Sequence, residues 1–288
     1  MKWIQSLKLI SAAAALASCT ASPDTPLLPT TISLSCESHV VKSSCPDPVL
    51  LSDYNILIYN CFGVLEESAY VSERESGAVF TTTLLQGVSY TVLAAANIGY
   101  ALGRMSLEEA MRYRYYMAYP DEYTHGIPMA AVREGIVAGD VVNLKLERLM
   151  AEVDVYLDRS ELDSEVNLSV KEIRVVNSPS SAGLFEPSSP VQYFSSGFYL
   201  SGLDLSPLDH GEPVRLFLLE NTIGSSYIEI RSIYRSSTHS TRPGEYLIYR
   251  FRLDTSIGRN TLFPVVVRPI GDGLSSNDGW RIDASGLD

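Results

Sequence analysis

Val142-Asn-Leu-Lys-Leu-Glu-Arg-Leu-Met-Ala-Glu-Val-Asp-Val-Tyr-Leu-Asp158 is the stretch that decides the fold. In its first half Val142, Leu144 and Leu146 alternate with Asn143, Lys145 and Glu147. In its second half Ala151, Val153, Val155 and Leu157 alternate with Glu152, Asp154, Tyr156 and Asp158. Successive side chains of a strand point to opposite faces, so this period of two reads as strands with one face buried and the other wet. The pattern predicts two such strands end to end, meeting near Arg148. The opposite phase would place Lys145 and Asp154 inside, with the cost of unpaired buried charge.

The same period continues outward. Tyr54, Ile56 and Ile58 alternate around Asn55, and strand candidates follow at Lys171–Asn177, Val214–Glu220, Tyr227–Ile233, Tyr246–Leu253 and Phe263–Ile270, separated by Pro, Gly, Ser and Asp clusters. Short strands at such spacing predict an all-β sandwich fold. A first strand is expected within Thr30–Ser38, where Ile32, Leu34 and Cys36 alternate with Ser33, Ser35 and Glu37. One short helix is expected: Ser106 and Glu109 form a capping box, and Leu107, Ala110 and Met111 begin an apolar stripe running toward Tyr115.

The chain start reads as a targeting segment. Lys2 and Lys8 precede an apolar stretch, Leu9 to Ala17, that falls short of the ~20 residues of a spanning helix. It ends in Leu16-Ala17-Ser18-Cys19, a lipobox: small residues let a lipoprotein signal peptidase approach, and the Cys19 thiol carries a diacylglycerol. Residues 1–18 are thus expected to be removed, and residues 19–30, rich in proline, form a lipidated tether. An N-terminal domain then spans 31–148 and a C-terminal domain 149–288. Loss of Lys2 and Lys8 takes 22 basic residues to 20 and the formal charge from −12 to −14, which argues against nucleic acid as a partner. Of the remaining cysteines, Cys36 and Cys45 can close a small loop, and Cys61, inside an apolar run, is expected to be a buried thiol.

Catalytic signatures are missing: no His-Glu-x-x-His, Cys-x-x-Cys, Gly-x-Ser-x-Gly, phosphate loop or dinucleotide fingerprint occurs, so an enzyme is not expected. His39, His125, His210 and His239 are scattered in polar settings, and Asp204–Glu212 is acidic without the spacing of a calcium loop, so neither a metal nor a cofactor is expected apart from the covalent lipid. Tyrosines cluster at Tyr113, Tyr115, Tyr116, Tyr119 and Tyr123, and read either as a binding platform or as the edge of a sandwich core.

Five motifs in order carry a family resemblance. They are Tyr90-Thr-Val-Leu-Ala-Ala-Ala-Asn-Ile-Gly99, Gly126-Ile-Pro-Met-Ala130, Leu144-Lys-Leu-Glu-Arg-Leu-Met-Ala-Glu-Val-Asp-Val155, Leu216-Phe-Leu-Leu-Glu-Asn-Thr-Ile-Gly224, and Tyr249-Arg-Phe-Arg-Leu253 with Arg259-Asn260. Together they resemble the fimbrial subunits of Bacteroidales, the fimbrillins and their anchor proteins. The resemblance implies two tandem transthyretin-like β-sandwich domains, export as an outer-membrane lipoprotein, and assembly by β-strand addition after a protease cuts behind an arginine and removes the first strand.

Two departures bear on the role. No arginine lies between Cys19 and Tyr54, and Arg74 is the first of the mature chain, so the family's cut has no site ahead of the second strand. The tail is short, with Trp280 and Ile282 in its last strand-like piece, which reads either as a donor strand or as the closing strand of the second domain. The expected function is therefore the lipid anchor of a fimbrium, facing the cell surface, with a stalk subunit and the outer membrane as partners. The alternatives are a tip or accessory adhesin and a surface glycan-binding lipoprotein.

Overall fold

The computed structural model describes residues 24–36, 51–72, 78–119, 126–194, 198–199, 203–221, 226–236, 246–253, 256–271, 275–276 and 281–283. The chain divides into two compact units. The first takes in Met1–Tyr115, Tyr123–Leu149 and Gly183–Glu186, the second Tyr116–Glu122, Met150–Ala182 and Pro187–Asp288. Nearly all regular structure in both is β.

In chain order the strands begin with β1 (Leu27–Cys36), β2 (Tyr54–Asn60), β3 (Leu65–Val71), β4 (Ala78–Leu85) and β5 (Ser89–Ala96). Helix α1 (Leu107–Met111) is followed by β6 (Arg114–Tyr116), β7 (Met129–Val137) and β8 (Val141–Arg148). Next come β9 (Met150–Leu157), β10 (Val166–Val176), β11 (Ser181–Gly183), β12 (Phe198–Tyr199), a 3₁₀ turn at Ser206–His210, and β13 (Val214–Leu219). The chain closes with β14 (Tyr227–Ser236), β15 (Tyr246–Arg252), β16 (Leu262–Val267), β17 (Pro269–Ile270), β18 (Ser275–Ser276) and β19 (Arg281–Asp283).

The first unit is one hydrogen-bonded order, β3-β2-β5-β7-β8-β1-β4, turned over on itself. Strands β7 and β8 pair only at Met129–Arg148 and Ala130–Glu147; beyond that corner β7 follows β5 while β8 follows β1. Ile56, Ile58, Val92 and Ala94 from one layer meet Ile32, Leu34, Leu144 and Leu146 from the other in a single core. The alternation of β8 is as the sequence predicts, with Val142, Leu144 and Leu146 buried and Lys145 exposed. In β2 the alternation understates burial. Tyr54, Ile56 and Ile58 share a face, but Asn55, Leu57 and Tyr59 on the other are buried too.

Helix α1 has the expected capping box: Glu109 N donates to Ser106 Oγ at 3.3 Å, and Ser106 N donates to Glu109 Oε2 at 2.8 Å. It is shorter than the stripe suggests, because Arg112 caps it and the aromatic run Arg114–Tyr116 is extended as β6. Leu107 N donates to Gly63 O at 3.1 Å, so the helix sits over the turn between β2 and β3.

The second unit packs the five-stranded sheet β12-β10-β14-β15-β19 against the three-stranded sheet β13-β9-β16. Ile173, Val175, Ile228 and Ile230 face Val153, Val155, Leu216 and Val265 across the core. Here one expectation needs correction. Glu152 and Asp154 are not wet; each is 5% exposed. Central β9 is covered on both faces, and the two carboxylates are held by Arg215, whose Nε lies 2.5 Å from Glu152 Oε1 and 2.8 Å from Asp154 Oδ1.

Truncating a buried β8 residue removes packed atoms and leaves a cavity. Leu144→Ala should cost about 2–5 kcal/mol in urea unfolding, whereas its exposed neighbour change Lys145→Ala should stay within about 0.5 kcal/mol.

Candidate functional site

The strand nearest the chain start is β1. It is an interior strand, running antiparallel to β4 along eight residue pairs and parallel to β8 along six. Thr30, Ile32 and Leu34 point into the core at 0–4% exposure, while Thr31, Ser33 and Ser35 face outward. The hydroxyls of the outward row tie it to its neighbour: Ser33 Oγ donates to Val142 O at 3.2 Å and Ser35 Oγ to Asn143 Oδ1 at 2.9 Å. Removing β1 would unpair β4 and β8 together and open a groove floored by Leu144 and Leu146.

Three of the motifs quoted above converge on one polar hub. Asn97 sits in the left-handed region, φ 58°, which Asn tolerates better than most residues. From there its Oδ1 accepts from Ser52 N at 2.9 Å and its Nδ2 donates to Ile127 O at 3.0 Å. The Asp53 carboxylate accepts from Ile98 N at 3.2 Å and Gly99 N at 3.0 Å. One residue past Ile127, Pro128 O accepts from Leu149 N at 2.8 Å. The Ala-Asn-x-Gly end is thereby hydrogen-bonded to the Ile-Pro-Met loop, and that loop to Leu149 within the Leu-x-Arg-x-x-Ala junction.

The remaining two motifs meet in the second unit. Glu220, 1% exposed, accepts both forks of Arg259, with Nε at 2.9 Å and Nη2 at 2.6 Å. Its Oε1 also accepts from Ser188 N at 3.1 Å. Asn221 exchanges two backbone bonds with Ile257, and its side chain donates to Ser226 Oγ at 2.6 Å. Glu220 of the Glu-Asn pair and Arg259 of the Arg-Asn pair, far apart in sequence, are halves of one lock. Glu220→Ala would strip the buried Arg259 guanidinium of its bidentate carboxylate, so that variant should lose about 3–5 kcal/mol in denaturant unfolding.

At the far end of the same unit, β19 is the edge strand of the five-stranded sheet, with Ile282 set opposite Tyr249 along a ladder of three pairs. Trp280 lies outside the described residues, as do Leu16, Ala17, Ser18 and Cys19. His39, His125, His239 and Tyr123 also fall outside them. His210 is exposed in the 3₁₀ turn. The acidic loop folds on its own backbone, since Asp204 Oδ1 accepts from Ser206 N at 3.0 Å. Among the described residues no group of three His, Cys, Asp or Glu is placed to hold a metal, and no helix is long and apolar enough to cross a membrane. Tyr115 is buried and Tyr113 half-buried, whereas Tyr116 and Tyr119 are exposed.

The cysteine reading needs correction. Cys61 is exposed and disulfide-bonded, not a buried thiol, and Cys36 is a thiol rather than half of a loop-closing bridge. Burial raises the Cys36 pKa, with Arg148 pulling it back. Cys61 follows β2 at a turn, while Cys36 ends β1 opposite Leu146. Alkylation of denatured protein without reductant should therefore label Cys36 and spare Cys61, as peptide mass mapping would read.

Asp158, just past β9, has a carboxyl held down to about 2 by the backbone N–H of Ser160, then by the Ser160 side chain and by Arg268. A depressed folded pKa contributes stability that is present above the unfolded value of roughly 4 and lost as pH falls through the folded one. Melting temperature should thus fall between about pH 4 and pH 2 in the native protein, and Asp158→Asn should flatten that part of the curve.

No family model and no curated protein matches the chain. Solved structures do. A fimbrilin of Porphyromonas gingivalis superposes with a TM-score of 0.61 at 14% identity, covering 84% of this chain and 90% of that one. A C-terminally truncated tip fimbrial protein, Mfa3, of the same species gives 0.57 at 14% identity, over 90% and 99%. A fimbrial assembly protein of Parabacteroides distasonis gives 0.55 at 10% identity, over 91% and 97%. The chain therefore has the all-β sandwich fold that these fimbrial proteins of Bacteroidales share.

Proposed function

We propose that this chain is a lipid-anchored fimbrial subunit that holds a fimbrium to the outer membrane and starts its stalk. The observation that carries the reading is the union of an interior β1 with the absence of any arginine between Cys19 and Tyr54. A subunit that keeps β1 has no groove to receive a neighbour's strand, so it can only begin or end a polymer. A lipid on Cys19 selects the beginning. The likeness in fold to fimbrial proteins supports a place in a fimbrium.

Growth from such a base uses the other partner of strand addition, a donor. The C-terminal segment holding Trp280 and Ile282 fits that part. Its strand is an edge held by three residue pairs, against eight and six for β1, and therefore detaches at far lower cost. In the donor state its main chain pairs in the opened groove of the first stalk subunit, with alternate side chains filling its pockets.

The lipid and the donor are tested separately. Fatty-acid labelling should mark the wild-type chain and fail on Cys19→Ala, and label persisting on the variant would remove Cys19 from the account. Truncation after Asp278 should leave an abundant, membrane-bound anchor on cells without attached fimbriae. Normal fimbriae on those cells would eliminate donation by the tail, and release of the chain from membranes by a cut at Arg74 would favour a tip or accessory subunit instead.

A further inference from the structure

Two cavities in the second unit share one wall, the ion pair of Arg159 and Asp209. One, of about 440 Å³, lies against Tyr156, Asp158 and Val266; the other, of about 400 Å³, lies against Asn167 and Ser169 of β10. Each is within the range of small-ligand sites. Arg159 follows β9, and Asp209 belongs to the 3₁₀ turn whose Leu208 is anchored in the core.

The wall is held rigid. Arg159 Nη1 donates to Leu208 O at 2.8 Å, and Nη2 donates to Asp209 Oδ1 at 2.8 Å and to Leu168 O at 3.4 Å. These bonds occupy part of a guanidinium that carries five N–H donors, so donor capacity is left over on a group already fixed in place. Asp209 is 66% exposed at its side chain and has acceptor capacity to spare. The charges on the wall are matched in pairs, Arg159 with Asp209 and Asp158 with Arg268 at 2.7 Å. An ionic ligand would find no uncompensated charge there. What the wall offers is donors and acceptors close together, with an apolar step where Tyr156 and Val266 stand opposite in register. Vicinal hydroxyls beside an apolar C–H face are the complement of that surface.

We propose that the cleft around Arg159 and Asp209 binds a neutral sugar. Arg159 and Asp209 bond adjacent hydroxyls, Asn167 and Ser169 reach a neighbouring ring, and Tyr156 packs against a C–H face. This goes beyond anchoring and stands or falls independently of it.

The test is saturation-transfer NMR followed by titration calorimetry on the full chain, with lactose, maltose, cellobiose and N,N′-diacetylchitobiose as probes and digalacturonate as the charged control. At least one neutral disaccharide should bind at millimolar concentration and digalacturonate should not. Asp209→Ala and Tyr156→Ala should each weaken that binding by about tenfold, the scale of one good contact. Asn167→Ala, at an exposed position, should weaken it with the melting temperature unchanged, so that a folding defect in the other variants cannot decide the matter. Binding of none of the four sugars, tighter binding of digalacturonate, or affinity unchanged in both Asp209→Ala and Asn167→Ala would overturn the proposal.

Discussion

The first unit depends on a strand from its own N-terminus being held between two others. With β1 in place, β4 and β8 are joined and the layer facing β2 and β5 is continuous. Without it, Ile32 and Leu34 leave the core and two ladders lose their partner at once. Burying two such side chains is worth roughly 1.5–3 kcal/mol each, before the backbone bonds are counted. That strand ends the stretch that follows Cys19, so any event at the chain start acts directly on the packing of the whole unit.

The hydrogen-bonded hub of Asn97 and Asp53 and the buried lock of Glu220 with Arg259 tie loops and strand ends together, one in each unit. Both hold backbone N–H groups near strand ends and loops, Asp53 accepting from Ile98 and Gly99 and Glu220 from Ser188. Apolar positions in the cores accept many substitutions of similar volume, whereas a left-handed asparagine bonded on both sides, or a bidentate pair, does not.

Strand faces were legible because a period of two reports which residues share a face, as Val142, Leu144 and Leu146 do. The same period is silent on whether the second face meets water. Glu152 and Asp154 look solvated in sequence, yet Arg215, some sixty residues on, makes their burial tolerable. The joining of Glu220 to Arg259 was hidden for the same reason, since it is set by which segments meet in space. Strands β3 and β4 carry mixed polar and apolar residues at sheet edges, a weak periodic signal. Of the cleft at Arg159 only the acidic loop Asp204–Glu212 stood out in the sequence, because the other lining residues come from the ends of β9 and β10 and from β16.

The retained first strand is the claim on which anchoring turns. Intact mass spectrometry of the mature protein extracted from membranes of fimbriated cells measures it directly. The account predicts one species that begins at an acylated Cys19 and includes residues 27–36. A species lacking that strand, with its new N-terminus inside the first unit, would contradict it.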